Sequence, residues 1–372
     1  MALQRLIYVS RIALPNLHAH SIQMMRTCHA LARQGVEVDF YVRGAPPPSP
    51  EAVFDAYGLE PLGQFRIHWL PPEAMEGWRF LAVTARRLRR QRAGAAIYTR
   101  DWHLARRFIR LRPLVGMPVV VETHKRDGYL ELGYAGDALE EGRRSDREEL
   151  IDFAYRHASG IVAAWLDTAE LIRTRYPATP VLRAWFATDP LPEATYDPAA
   201  RQGIWYVGNL YPHYRPDVLV DALSGVEGET LHIVGGNEEE HVAALRRRAA
   251  ERGVADRLVF EGYVRPGQLR DLFGRFRVAV ALLPGLKLAD YFSHGLPFVA
   301  PSLRMARDLL RDGETCLLYE PCRADSMAAA LRRILGDDAL ARRLAAGALA
   351  EARQHATADR ARRLLGFIDG LL

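Results

Sequence analysis

The chain has 372 residues, of which 49% are hydrophobic, and this is enough apolar material for the cores of two ordinary domains. The net charge of +5 is modest, and the three cysteines, Cys28, Cys316 and Cys322, include no pair at CxxC spacing. The composition therefore argues against a disordered chain, a disulfide framework and a zinc site.

The first ten residues are typical of a buried strand and are too short for the core of a signal peptide. The sequence also contains no run of about eighteen apolar residues, the length that a membrane-spanning helix needs. These features favour a cytoplasmic protein.

Short apolar runs alternate with helical patterns along the first half of the chain. We predict strands at residues 6–9, 36–42, 67–70, 96–98, 118–121 and 160–164. Helical spacing predicts helices from residue 22 to Gly35 and at 78–92, 103–111 and 143–158.

The alternation stops between residues 186 and 202, a stretch with three prolines and no clear period, and then begins again. Further strands are predicted at 203–207, 231–234, 258–260, 278–282 and 297–299. Helices are predicted at 216–223, 238–252, 266–273 and within 324–372.

This alternation predicts an α/β fold with two doubly wound, Rossmann-like domains facing each other across a cleft. We expect an N-terminal domain at 1–187, a linker at 188–202 and a C-terminal domain at 203–354. Residues 355–372 are expected to form a helix that crosses back to the N-terminal domain. The fold class alone would also fit a dehydrogenase, a sugar epimerase or a periplasmic-type binding protein.

Positive charge is concentrated between Arg79 and Arg112, a stretch that contains eleven arginines and a single acid, Asp101. Such a block fits either contact with an anionic partner or a solvated surface in an arginine-rich sequence. The segment 78–92 has apolar residues on one helical face with flanking arginines, which predicts peripheral docking on an anionic membrane, at its inner face. The same face fits ordinary core packing, and we expect no nucleic-acid partner.

Several short motifs occur in a fixed order in the second half of the chain. They are WYVGNL at 205–210, LHIVGG at 231–236, VFEGYV at 259–264, GLKLADY at 285–291, GLPFVA at 295–300 and DGETCLL at 312–318. Their order makes residues 203–320 resemble the nucleotide-sugar domain of the retaining glycosyltransferase family 4, the glycosyl transferases group 1. AHSIQ at 19–23 and VETH at 121–124 resemble the same family more loosely. The resemblance implies the GT-B fold.

By this resemblance, Gly208, Asn209 and Arg215 hold the donor diphosphate, together with Gly235 of the next motif. A diphosphate is held by backbone N–H groups, helix N-termini and cations. Family members carry Lys-Gly where this chain has Tyr214-Arg215, so Arg215 supplies the charge one residue later or merely begins a surface helix.

The resemblance also assigns Lys287, Leu288 and Asp290 to the donor site. Lys287 begins a helix and would bind phosphate with the helix dipole, or it is a solvated lysine. Asp290 matches the second acid of the family's Glu-seven-residues-Glu signature, which grips the ribose hydroxyls. The first acid of that signature is absent near Leu282.

The strand end at Tyr263 and Val264 matches the place where the family reads the nucleobase. We expect backbone groups there to contact the base edge, with Tyr263 stacking on the base. Packing of Tyr263 in the core is an equal alternative.

In the first half, His124 follows a predicted strand at its carboxyl end, where open α/β sheets place ligands. The matching family histidine faces the sugar and the donor phosphate, so we assign His124 a catalytic role beside Lys287; a purely structural histidine is the alternative. His18, His20 and Ser21 enter the first helix and are expected to contact the acceptor, or His20 or Ser21 to cap that helix.

We therefore expect a glycosyltransferase that moves a sugar from a nucleotide diphosphate-sugar to a glycan, lipid-linked or small-molecule acceptor. The resemblance implies retention of anomeric configuration, no metal ion and no cofactor besides the donor substrate. Because the first signature acid is missing, a catalytically weak homologue that binds nucleotide-sugar or serves as a partner subunit is the alternative. Another two-domain sugar-nucleotide enzyme, such as an epimerase, is a third possibility.

Overall fold

The computed structural model of the chain describes residues 2–16, 18–49, 51–71, 93–124, 141–191, 195–235, 238–264 and 266–372. Side chains are not described at 141–147, 266–267 and 270. The segment 78–92, expected to dock on a membrane, lies outside the described residues. The described residues divide into two compact units, one with residues 2–124, 141–187 and Thr357–Leu372 and the other with Thr188–Ala356.

The first unit is built on a seven-stranded sheet in the order β3-β2-β1-β4-β5-β6-β7. Each pair of neighbours is parallel. The strands are β1 Arg5–Ala13, β2 Glu37–Arg43, β3 Phe65–Leu70, β4 Ala95–Thr99, β5 Val119–Thr123, β6 Gly160–Ala163 and β7 Val181–Arg183.

The second unit has a six-stranded sheet in the order β10-β9-β8-β11-β12-β13, again parallel throughout. Its strands are β8 Gln202–Val207, β9 Leu231–Val234, β10 Leu258–Gly262, β11 Phe276–Val280, β12 Phe298–Pro301 and β13 Leu317–Tyr319. The predicted α/β class with two doubly wound parallel sheets is confirmed.

Helices connect the strands in both units. Those that the structure describes are α1 Ala19–Arg33, α2 Glu51–Ala56, α3 Trp102–Val115, α4 Glu141–His157, α5 Leu166–Arg175, α6 Asp217–Ser224, α7 Glu239–Glu251, α8 Pro266–Phe273, α9 Leu286–Ser293, α10 Ala324–Leu335, α11 Asp338–Gln354 and α12 Thr357–Asp369. The last of these, α12, belongs to the first unit.

Local sequence explains where these helices begin and end, as α3 illustrates. The Asp101 carboxylate accepts hydrogen bonds from the N–H groups of His103 and Leu104 and so caps the first turn. Gly116 ends the helix in the left-handed conformation, at a φ of 71°, which glycine adopts without steric cost.

Parallel sheets covered on both faces need strands that are apolar throughout, and β1 meets this need. Leu6 and Tyr8 join the core on one face, whereas Ile7 and Val9 join the core on the other. All four side chains are essentially fully buried.

Strand order reverses at one place in each sheet. In the first unit the reversal lies between β1 and β4, and in the second between β8 and β11. Ligands of open α/β sheets bind outside the carboxyl ends of the strands at such a switch point. The segments that follow β1, β4, β8 and β11 are therefore the first places to look for a functional site.

Candidate functional site

The carboxyl ends of β8, β9 and β10 meet through glycines. The N–H of Gly208 donates to the carbonyl of Val234 at 2.9 Å, and the N–H of Gly235 donates to that of Gly262 at 2.8 Å. Gly235 has a φ of +104°, and a Cβ there would lie 2.5 Å from the carbonyl oxygen of Gly208. Only glycine tolerates this approach, so the sequence leaves bare backbone at the switch point.

The segment after β8 carries Asn209 and Arg215. Asn209 is exposed, and its carbonyl accepts a hydrogen bond from the Tyr206 hydroxyl at 2.8 Å. Arg215 stands in the left-handed conformation just before α6 and makes a forked contact with Asp217, with N–O distances of 3.0 and 2.8 Å. Its side chain is 43% exposed, so the guanidinium lies at the surface with a carboxylate beside it.

Helix α9 follows β11 directly and brings Lys287 and Asp290 together. The Lys287 Nζ lies 3.7 Å from Asp290 Oδ2, and both side chains are partly exposed. Leu288 is fully buried, and its N–H donates to the carbonyl of Gly285 at 3.1 Å. The buried Tyr291 donates from its hydroxyl to the carbonyl of Val280 at 3.1 Å, which fixes α9 over the end of β11.

The position near Leu282, where the family signature has its first acid, belongs to the core. Leu282 is only 3% exposed and packs in the cluster that includes Val280 and Val299. A carboxylate at this position would be buried, which costs free energy without a partner. This physical setting agrees with the absence of an acid in the sequence.

Tyr263 and Val264 follow β10 at the same edge of the sheet. Tyr263 is 51% exposed, so the alternative of a core-packed tyrosine is wrong. Val264 is half-buried.

In the first unit, His18, His20 and Ser21 lie after β1, beside the switch point. The exposed rings of His18 and His20 stack with centroids 5.5 Å apart. Ser21 is fully buried, and its hydroxyl donates to Asn16 Oδ1 at 2.6 Å. His18 occupies the N-cap position of α1 without a side-chain capping bond, so the alternative that His20 or Ser21 caps this helix is wrong.

His124 follows β5 and contacts a buried carboxylate. Its Nε2 lies 2.9 Å from Oε1 of Glu122, and its ring stacks on Phe186 with centroids 5.2 Å apart. The His124 side chain is 16% exposed, whereas that of Glu122 is 1% exposed. The structure thus brings the predicted histidine to the carboxyl edge of the sheet with a defined partner.

Burial sets the charge states of this pair. Desolvation by burial, assisted by the positive charge of Arg100, lowers the pKa of His124 to about 4 even though Glu122 opposes the shift. Burial raises the pKa of Glu122, but the His124 hydrogen bond and the charge of Arg360 outweigh it and hold that pKa well below its ordinary value. At neutral pH the pair is therefore a neutral imidazole beside a carboxylate.

Glu122 and Arg360, the two charged residues most deeply buried around His124, were not among the site residues predicted from the sequence. Both are almost inaccessible, at 2% and 5% exposure. A signal for Glu122 was present, because it is an acid that directly follows the apolar run 119–121 within one strand. Charged residues in such strands are almost always paired.

Among the described side chains, no three histidines, cysteines, aspartates or glutamates are grouped so that they would hold a metal ion. Within the same part of the chain, every helix is too short or too polar to cross a bilayer.

Two models of protein families match the chain. The model for glycosyl transferases group 1 matches residues 201–337, and that for the glycosyl transferase 4-like domain matches residues 20–184. The first match lies in the second unit and includes Gly208, Gly235 and α9. The second includes α1 and His124.

Curated and solved proteins agree with these matches. D-inositol 3-phosphate glycosyltransferase of a Nocardioides species is 26% identical over 96% of this chain and 89% of its own length. Sucrose-phosphate synthase from Thermosynechococcus elongatus has a TM-score of 0.77 at 19% identity over 99% of both chains. HepE of Anabaena, solved with UDP, has a TM-score of 0.74 at 14% identity over 98% of this chain and 100% of its own. These matches together show that the chain is a glycosyltransferase of the GT-B fold that moves a sugar from a nucleotide-sugar to an acceptor.

Proposed function

We propose that the chain transfers a hexose from a uridine diphosphate-sugar to a hydroxyl group of a glycan, a lipid-linked saccharide or a small metabolite, with retention at the anomeric carbon. The observation that carries the donor side is the crossing of Gly208 and Gly235, which leaves bare backbone at the carboxyl end of β8. The neighbouring strand β11 leads into α9, whose second residue is Lys287.

The charges at this edge suit a nucleoside diphosphate. Lys287 stands in the first turn of α9, where its ammonium adds to the positive end of the helix dipole. Arg215 brings a second cation from the loop after β8. We assign the diphosphate to these two side chains and to the N–H groups around Gly208.

The remaining parts of the donor are assigned by position. We assign the base to the exposed ring of Tyr263 and the ribose hydroxyls to the partly exposed carboxylate of Asp290. Support for uridine and glucose comes from HepE of Anabaena, which was solved with UDP-glucose.

We place the acceptor at the first unit, by His18 and His20, with Ser21 supporting their loop from within. Retention follows if the departing diphosphate oxygen takes the proton of the acceptor hydroxyl on the same face of the sugar. No protein nucleophile is then needed, and stabilisation of the leaving group by Lys287 and Arg215 supplies most of the catalysis. The proposal uses no metal ion and no cofactor other than the donor.

Calorimetric titration with UDP, GDP and ADP, followed by a screen for release of nucleoside diphosphate from a panel of nucleotide-sugars, tests this function. Binding and release together support a transferase. Binding without release from any donor would favour the catalytically weak homologue that the missing acid near Leu282 suggests. Absence of binding to all three nucleotides would refute the donor assignment.

We also propose that the segment 78–92 brings the enzyme to an anionic membrane surface. The support is its sequence, which combines apolar residues at helical spacing with six arginines and no acid. Liposome flotation with and without anionic lipid tests this contact. Equal recovery in the two preparations would reject it.

A further inference from the structure

A single buried carboxylate connects four elements of the first unit. Oε1 of Glu122 accepts hydrogen bonds from Gln23 of α1 at 3.1 Å, His124 at 2.9 Å and Arg360 of α12 at 2.9 Å. Its Oε2 accepts from the Tyr98 hydroxyl of β4 at 3.0 Å. The carboxylate is therefore held from several directions and has little freedom to rotate.

Arg360 is itself fixed by three different acceptors. Its Nε donates to the carbonyl of Trp185 at 2.7 Å, its Nη1 to Thr27 Oγ1 at 3.1 Å and its Nη2 to Glu122. Burying such an ion pair is a weak source of stability, because desolvation offsets much of the attraction between the charges. A role in the site is a better explanation for a charge pair this deep than stability alone.

The ionised carboxylate determines which nitrogen of His124 carries the proton. A carboxylate can only accept hydrogen bonds, so Nε2 of His124 must be the donor. In a neutral imidazole the other nitrogen, Nδ1, then carries the lone pair. Stacking on Phe186 limits the ring to one plane.

We propose that Arg360 is a positioning residue for sugar transfer, which holds Glu122 so that His124 stays neutral and presents Nδ1 as a hydrogen-bond acceptor. The inference rests on the proposed function and on the catalytic role that the family resemblance implies for His124. Arg360 reaches the site only through Glu122, and helix α12 thereby contributes to the chemistry at the end of β5, more than two hundred residues earlier in the chain.

Two variants with opposite expected effects test this assignment. The charged groups around the His124 ring are Glu122 on its own strand, Arg100 after β4 and Arg360 on α12. Replacing Arg360 by Met removes a positive charge, so the pH at which the Glu122–His124 pair takes up a proton should rise by about one unit or more. Replacing Glu122 by Gln removes the opposing negative charge, so the pKa of His124 should fall and its tautomer should no longer be fixed.

The measurement is nitrogen-15 NMR of histidine side chains in the full-length protein, with His124 assigned by its loss in His124→Gln. Arg362→Met is the matched control, because Arg362 is an exposed arginine two residues further on that pairs with Asp359 of its own helix. The control should leave the His124 signals and titration unchanged. Unchanged His124 signals in a folded Arg360→Met protein would overturn the proposal.

Activity gives a separate result. Arg360→Met should lower kcat by roughly tenfold or more with little change in donor KM, since a misplaced group slows the chemical step. Arg360→Lys keeps the positive charge, so the titration of His124 should return part of the way to that of the unaltered protein. It also provides a second test if Arg360→Met does not fold. If His124→Ala leaves turnover intact, Arg360 has no catalytic group to position and the proposal is overturned, even where the NMR shifts appear as expected.

Discussion

Lys287 and Asp290 lie one turn apart at the start of α9, with Nζ 3.7 Å from Oδ2. These are the cation assigned to the diphosphate and the carboxylate assigned to the ribose. Because both are partly exposed, the pair costs little to open when a ligand offers better partners. A bound nucleoside diphosphate would contact both side chains at once.

The first prediction concerns the loss of the positive charge of Lys287. Lys287→Ala should weaken binding of nucleoside diphosphate by about 1–3 kcal/mol, the usual cost of losing a charge-assisted contact. Arg215→Ala should have an effect of the same size. Calorimetric titration measures both, with Arg333→Ala, an exposed arginine of α10, as the control for loss of one positive charge. Equal affinities in all three variants would remove Lys287 and Arg215 from the site.

The roles of Asp290 and His124 should separate in kinetics. Asp290→Ala should mainly raise the donor KM, because a ribose contact exists both before and during the reaction. His124→Ala should mainly lower kcat, because its hydrogen bond strengthens as charge develops. Steady-state rates with the identified donor decide between these outcomes. A His124→Ala enzyme with normal turnover contradicts the assignment.

The close approach of Gly235 to Gly208 leads to a prediction about stability. Gly235→Ala would place a Cβ 2.5 Å from the Gly208 carbonyl oxygen and would also strain a backbone with a φ of +104°. We expect a loss of about 2 kcal/mol or more and a lower melting temperature. Gly228→Ala is the matched control, since Gly228 also has positive φ but nothing lies within 4 Å of its Cβ position. Equal melting temperatures for the two variants would show that the close approach is absent.

Acid should destabilise the protein through His124. The pKa of this histidine is about 4 in the folded protein and 6.5 in the reference state, so between these values the unfolded chain binds the extra proton. Stability is then fully present above about pH 6.5 and falls as the pH drops towards 4, by roughly 2–3 kcal/mol. Urea unfolding between pH 7.5 and 4.5 measures this slope. His124→Gln should flatten this dependence of stability on pH. An identical slope in the variant would contradict the lowered pKa of His124.

Sequence patterns predicted eleven of the thirteen strands found in the described part of the chain. The two that were missed, Val181–Arg183 and Leu317–Tyr319, are edge strands of three residues each. A run of three residues is too short to show an alternation of apolar and polar side chains. These segments are strands because each pairs with one neighbouring strand in its sheet.

Site residues were predictable where a motif fixes the backbone and unpredictable where contacts are distant in sequence. The glycines at 208 and 235 follow apolar runs, so their place at strand ends could be inferred from local order. The contact of Glu122 with Arg360 spans 238 positions, and nothing near either residue indicates the other. Only the packing of α12 against α1 and β5 brings them together.

The measurement that tests the central claim most directly is calorimetric titration of the full-length protein with UDP, with Lys287→Ala and Arg333→Ala alongside. The account predicts saturable binding, weakened roughly fivefold or more in Lys287→Ala and unchanged in Arg333→Ala. No detectable binding of UDP, or the same affinity in Lys287→Ala as in the unaltered protein, would contradict it.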